Sequence, residues 1–210
     1  MTDPLPHHDA SWEEYLALEA QSEERYEYHD GEIVAMSGAT NRHGKIVGHT
    51  LVGLLAAADR RGCDAFAETT KLFRHRSERY LYPDVMITCA PLDLQTKNGV
   101  RSPLLIAEVV SRTSSHRDHG FKMREYFQLP SLQHYLIVAQ DLCFVQHYQR
   151  QAAGGWAFAY YDSLDQQIEL TDLDTVLPLA EMYRGIEFGP EVSEAEEAAA
   201  RYEAATEEKP

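Results

Sequence analysis

Residues 104–111 read Leu-Leu-Ile-Ala-Glu-Val-Val-Ser, an apolar run interrupted by a single charge at Glu108. A continuous run of this kind marks a strand covered on both faces, as in parallel or central positions of a sheet. A carboxylate placed there must be paired or hold a metal, because burying it alone costs many kcal/mol. On the N-terminal side, residues 80–89 read Tyr-Leu-Tyr-Pro-Asp-Val-Met-Ile-Thr-Cys. Pro83 suits a strand start or bulge, and Asp84 then opens an apolar strand running from Val85. On the C-terminal side a helix is expected from about Ser115 to Leu129, capped by Ser115 with Asp118 and ended by Pro130. Lys122 sits seven residues into that helix, roughly 10 Å along its axis. A helix folding back over the strand that precedes it returns Lys122 toward Glu108.

Each of these residues alone has a plainer reading: Asp84 as a turn residue, Glu108 as the partner of a buried arginine, Lys122 as a solvated charge. The strand, strand, helix order that carries all three favours a site. Hard cations such as Mg²⁺ bind through one or two carboxylates plus water and substrate phosphate. A metal on Asp84 and Glu108 would polarise a scissile phosphate, and Lys122 would orient the attacking water or stabilise developing charge.

The elements around this core can be read from periodicity. Ser11-Trp-Glu-Glu14 is a capping box that opens a helix to about Gln21. Residues 25–36 alternate about Asp30-Gly31, a hairpin-turn signal, with Glu32 just after the turn. Ile46, Val47, Leu51, Leu54, Leu55 and Ala58 recur at helical spacing from about His43 to Arg61, and Gly62 supplies the stop. Two strands are expected near 65–74 and 79–89, then a loop over 90–102 and the strand at 103–110. A strand over 134–139 follows the helix, a hairpin joins 142–150 to 156–163, and a short strand and apolar segment close the fold over 167–188. This order predicts an α/β architecture, a mixed sheet with helices on its faces. A flexible N-terminus (1–10), one domain (11–190) and an acidic C-terminal tail (191–210) are expected.

The net charge of −15 has to be located before it is used. Nine acids against one base fill residues 1–30, and seven against two fill 191–210, which leaves −2 for the body between them. Within the body Lys71, Arg74, Arg76 and Arg79 precede Asp84, while Arg112, Arg117, Lys122 and Arg124 follow Glu108. Phosphate binding needs a local basic face rather than a basic total, so Lys71, Arg74, Arg76, Arg112 and Arg117 are candidate nucleic-acid contacts. No basic leader and no apolar stretch long enough for a membrane span is present, so a cytoplasmic protein is expected. Cys63, Cys89 and Cys143 lack Cys-x-x-Cys spacing and read as reduced core thiols. His116-x-x-His119 has no second ligand pair for zinc. Phosphate-loop and nucleophilic-serine motifs are absent, which removes nucleotide-driven and serine-hydrolase readings.

Asp30-Gly-Glu-Ile-Val34, His43 at a helix start, Tyr82-Pro-Asp-Val85, Ala107-Glu-Val-Val-Ser111, and Arg117, Lys122 and Tyr126 ahead of His134-Tyr-Leu-Ile-Val138 together resemble the Uma-two family. The resemblance spans roughly residues 12–190. That family is assigned to the PD-(D/E)xK nuclease superfamily. The resemblance implies a restriction-endonuclease-like fold, a mixed β-sheet flanked by helices with added β-hairpins. It also implies hydrolysis of phosphodiester bonds, in DNA, with Asp84 and Glu108 as ligands of Mg²⁺ or Mn²⁺. The superfamily's lysine stands two residues after the acid, where this chain has Val110, so Lys122 would be a migrated lysine. Glu32 and His43 fit the family pattern as further ligands or water-orienting groups. Cleavage of both strands by a single-site domain implies a homodimer. A non-catalytic module of the same fold, binding nucleic acid or a protein through this face, is the alternative reading. An interaction protein that works through its acidic ends is another.

Overall fold

Strand β7 (Pro103–Val110) is the run that carries Glu108, and it lies inside the central sheet with an antiparallel neighbour on one side and a parallel one on the other. Side chains alternate across a strand, so Leu105, Ala107 and Val109 enter one apolar cluster and Ile106 enters another on the opposite face. Glu108 shares the face of Ile106. The computed structural model describes residues 9–22, 25–29, 31–35, 40–74, 79–96, 99–111 and 116–188. Arg76, Arg112, Ser115 and the acidic tail lie outside the described residues, as do the side chains of Arg74, Arg79 and residues 116–119.

The central sheet contains β3 (Asp64–Ala67), β6 (Val85–Thr88), β7, β8 (His134–Ala139), β9 (Val145–Arg150) and β10 (Trp156–Tyr161), in the order β10-β9-β8-β7-β6-β3. The β7–β8 pair is parallel and the other pairs are antiparallel. A parallel pair needs a crossover, and helix α4 (His116–Phe127) supplies it. Tyr126, Leu129 and Leu132 at the end of this crossover pack on Ile106, Tyr135 and Ile137. Arg150 fixes the end of the helix and the segment after it: its guanidinium donates to the carbonyls of Phe127 (3.3 Å), Leu129 (2.7 Å) and Leu132 (2.6 Å), the first an acceptor that a helix C-terminus leaves open.

Helix α2 (Asn41–Arg60) covers the other face through Ile46, Val47, Leu54, Ala57 and Ala58, packed on Val85, Ile87, Leu105 and Leu136. Thr40 caps it by accepting the His43 N–H at 3.2 Å, and Gly62 at φ 66° ends it. A hairpin of β11 (Gln167–Leu170) and β12 (Thr175–Pro178) closes this cluster through Ile168 and Leu177.

A second sheet, of order β2-β1-β5-β4, is formed by β1 (Tyr26–His29), β2 (Glu32–Ala35), β4 (Leu72–Arg74) and β5 (Arg79–Leu81). Helix α1 (Trp12–Gln21), opened by the Ser11–Glu14 capping box, covers it with Tyr15 against Tyr26, Tyr28 and Ile33. The expected α/β architecture is thus the observed one: a mixed sheet flanked by helices, with added hairpins.

Three local expectations are corrected. The two long strands near 65–74 and 79–89 are each broken, at 68–71 and 82–84, and each is divided between the central sheet and the second one. Glu68 adopts φ 48°, a left-handed conformation that cannot continue a ladder, and Pro83 has no N–H to donate. The loop over 90–102 contains a one-turn helix, α3 (Pro91–Leu94). It is held by buried Asp93, which accepts from the N–H groups of Arg101 (3.0 Å) and Ser102 (2.8 Å). Cys63 and Cys89 form a disulfide rather than remaining thiols, and Cys143 is free. They come together because Asp64 pairs with Thr88 in the β3–β6 ladder, which sets their neighbours opposite one another. Among the described residues no helix is long and apolar enough to cross a membrane.

Candidate functional site

The breaks in the two long strands place the site. Val85 pairs with both Ala67 and Ala107, so the residues just past these pairs, Glu68, Asp84 and Glu108, come from three adjacent strands at one end of the sheet. The Glu68 N–H donates to the Asp84 carbonyl at 3.1 Å, and Arg25 donates to the Glu68 carbonyl at 2.8 Å. These bonds hold the left-handed backbone of Glu68 in place, and backbone strain of this kind concentrates at functional sites.

Asp84 is buried, and its Oδ2 accepts the Val109 N–H at 2.6 Å. Its Oδ1 faces His43 Nε2 at 3.4 Å, and the same nitrogen stands 3.4 Å from Glu68 Oε1. His43 reaches this point from the first turn of α2. Its three donor atoms with Glu68 and Asp84 all lie within 4.8 Å of one another, a spacing that could hold a metal ion. Burial lowers the basicity of the His43 ring, but its bond to Asp84 and the charges of Asp84, Glu68 and Glu108 outweigh this and raise its pKa.

Glu108 lies on the α4 side of the same end. Lys122 and Tyr126 are four residues apart and so share a helix face. Tyr126 donates its hydroxyl to Glu108 Oε1 at 2.5 Å, and the Lys122 ammonium stands 3.7 Å from Glu108 Oε2. Burial pushes the Glu108 carboxyl up to about 8, with Lys122 and the Tyr126 bond pulling it down and the charges of Asp84 and Glu27 adding to the rise.

The Lys122 ammonium also stands 3.0 Å from Glu27 Oε1. Glu27 is 6% exposed and also accepts the Tyr82 N–H at 3.2 Å, which ties it to the segment just before Asp84. The sequence reading missed Glu27 because, between Tyr26 and Tyr28, it has the solvent-facing place of an alternating strand. Tyr26 and Tyr28 do face α1, but the opposite side is also covered. Glu68 was missed because it reads as one more residue of an uninterrupted strand.

Among the candidates singled out from sequence, Asp84, Glu108, Lys122 and His43 converge on this end of the sheet. Glu32 begins β2 opposite His29, at the turn of the hairpin, two residues from Val34, which pairs with Glu27. Lys71 forms an ion pair with Glu19 of α1 and lies 5.7 Å from the centre of the Tyr80 ring.

A family model described as "Uma2: Putative restriction endonuclease" matches residues 12–180. Two uncharacterized proteins of Synechocystis sp. (strain ATCC 27184 / PCC 6803 / Kazusa) are each 31% identical to this chain. The protein slr1290 aligns over 84% of this chain and 92% of its own length, and sll1609 over 75% and 90%. The crystal structure of "a putative nuclease belonging to DUF820" from Anabaena variabilis ATCC 29413 matches with a TM-score of 0.66. It shares 16% identity over 86% of this chain and 98% of that one, a likeness of fold. With the family model running from α1 to the last short helix, α5 (Leu179–Met182), the chain belongs to the Uma2 family.

Proposed function

We propose that this protein is a divalent-metal-dependent endonuclease that hydrolyses phosphodiester bonds in DNA, with Asp84 and Glu108 as metal ligands and Lys122 as the catalytic cation. The observation that carries the reading is the convergence of two buried carboxylates and an ammonium at one end of the sheet. A divalent cation bound there, Mg²⁺ or Mn²⁺, supplies Lewis-acid polarisation of the scissile phosphate.

The chain's own groups do the rest. The Val109 N–H fixes Asp84 Oδ2 and leaves Oδ1 turned into the site. The Tyr126 hydroxyl holds Glu108 Oε1 and leaves Oε2 toward Lys122. Lys122 donates to the phosphate oxygens where charge builds in the transition state, inside a part of the fold that excludes bulk water. His43 comes to the site from the α2 side as a further ligand or a water-orienting group. Glu32, at the hairpin turn, is a further ligand or water-orienting group in this reading. Contacts to the DNA backbone fall to Lys71, Arg74, Arg76, Arg112 and Arg117, and double-strand cleavage calls for a homodimer.

The test is nicking and linearisation of supercoiled plasmid with Mg²⁺ or Mn²⁺. Asp84→Asn and Lys122→Ala are each expected to lower the rate by about 100-fold or more. Two variants that cut like wild type would remove the assignment.

A further inference from the structure

The donor set around Asp84 is not made of oxygen alone, and this bears on which cation it takes. We infer that His43, Glu68 and Asp84 form a three-point metal centre, one imidazole nitrogen with two carboxylate oxygens, that selects a first-row transition dication such as Mn²⁺ over Mg²⁺. The inference deepens the endonuclease reading by assigning the metal to the Asp84 Oδ1 side.

The geometry fits. Two ligands about 2.1 Å from a shared ion, at angles between 90° and tetrahedral, stand roughly 3.0–3.5 Å apart. His43 Nε2 lies 3.4 Å from Glu68 Oε1 and 3.4 Å from Asp84 Oδ1. Each donor is set by a separate rigid device. His43 rides on the capped first turn of a 20-residue helix. Glu68 is aimed by a left-handed backbone bonded on both its N–H and its carbonyl. Asp84 has one oxygen consumed by the Val109 N–H and the other free to ligate. Preorganised donors on rigid elements are what a metal site requires. The Glu68 side chain, 38% exposed against 16% for His43 and 12% for Asp84, marks the side from which an ion enters.

The chemistry decides the class of ion. Mg²⁺ prefers oxygen and gives up its water reluctantly, whereas imidazole suits transition metals. Glu108 belongs to a different arrangement, held by Tyr126 and set beside Lys122, and can complete the coordination from the far side of Asp84.

The experiment measures binding rather than cleavage. Calorimetric titration of the full chain with Mn²⁺ and Mg²⁺ is combined with pulsed electron paramagnetic resonance of the Mn²⁺ complex, which detects a directly bound nitrogen through its ¹⁴N modulation. Wild type is expected to bind Mn²⁺ at least tenfold more tightly than Mg²⁺ and to show the ¹⁴N signal. His43→Ala should lose that signal and most of the Mn²⁺ preference. Glu68→Gln, which keeps size and shape, should weaken both ions and retain the signal. Thermal unfolding checks that each variant is folded. A wild-type complex without ¹⁴N modulation, or unchanged Mn²⁺ affinity in both variants, overturns the inference. Plasmid cleavage is scored separately. Nitrogen-ligated Mn²⁺ without cleavage overturns only the endonuclease reading, and cleavage without nitrogen ligation overturns only this one.

Discussion

Four carboxylates, Glu27, Glu68, Asp84 and Glu108, meet one lysine and one histidine at the sheet end, and their balance sets the behaviour of single residues. Glu108 has its carboxyl pushed up to about 8, first by burial. Its folded pKa exceeds its unfolded value, so the native state holds the extra proton. The stability this confers is complete below about pH 4.5 and is lost as pH rises through about 8. In metal-free protein the slope over that interval is at most about 1.4 kcal/mol per pH unit. Glu108→Gln should flatten it and raise the melting temperature most at pH 8 to 9, as urea and thermal denaturation across pH will show. Glu27 tests the other side of the same cluster. Removing one partner of a buried ion pair strands the other, so Glu27→Ala is expected to cost about 3 kcal/mol. If urea denaturation gives less than about 1 kcal/mol, the Glu27–Lys122 contact at 3.0 Å is not a structural tie.

Elements explain why these residues meet. The β7–α4–β8 crossover was legible because an apolar run, a helix signal and a second apolar run follow one another, and that order alone returns Lys122 to Glu108. The breaks of the two long strands were not legible, since Ala65 to Arg74 and Arg79 to Cys89 read as continuous. Only their division between two sheets shows that Glu68 and Asp84 sit at the crossings. Strand pairing also creates the disulfide between Cys63 and Cys89. Thiol titration of purified protein, denatured without reductant, should find one reactive cysteine, Cys143, and three after reduction. Closing a loop of 26 residues is worth about 3.5 kcal/mol, so reduction should lower stability by about that amount. At the opposite end of the sheet His134 bonds His147 at 3.0 Å and Asp172 at 3.0 Å. Burial pushes the His147 ring down to about 4, with the charge of His134 adding to it. A depressed histidine contributes stability present above about pH 6.5 and lost as pH falls through about 4. His147→Gln should remove part of this acid sensitivity, measured by unfolding at pH 4.5 and 7.

For the whole molecule, charge distribution is the property that sequence and structure divide most unequally. The acidic tail 191–210 carries seven acids against two bases. If it shields the basic residues from non-specific DNA, its deletion should tighten binding to duplex DNA and steepen the dependence on salt. Equal affinity and equal slope would leave the tail without that role. The fold class, the hairpins, the long helix α2 and the family could all be read from residue order. They rest on local periodicity and on short motifs, and a chain carries both in one dimension. The partners of the site could not be read that way. Glu27 resembles an exposed strand residue and Glu68 an interior one until a second sheet and helix α4 close around them. What the sequence singled out by itself were the candidates Asp84, just before β6, Glu108 on β7 and Lys122 on α4. What the tertiary structure decided was their company, because contacts such as Glu68 with Asp84 and Glu27 with Lys122 are set by register and crossing, which no local pattern encodes.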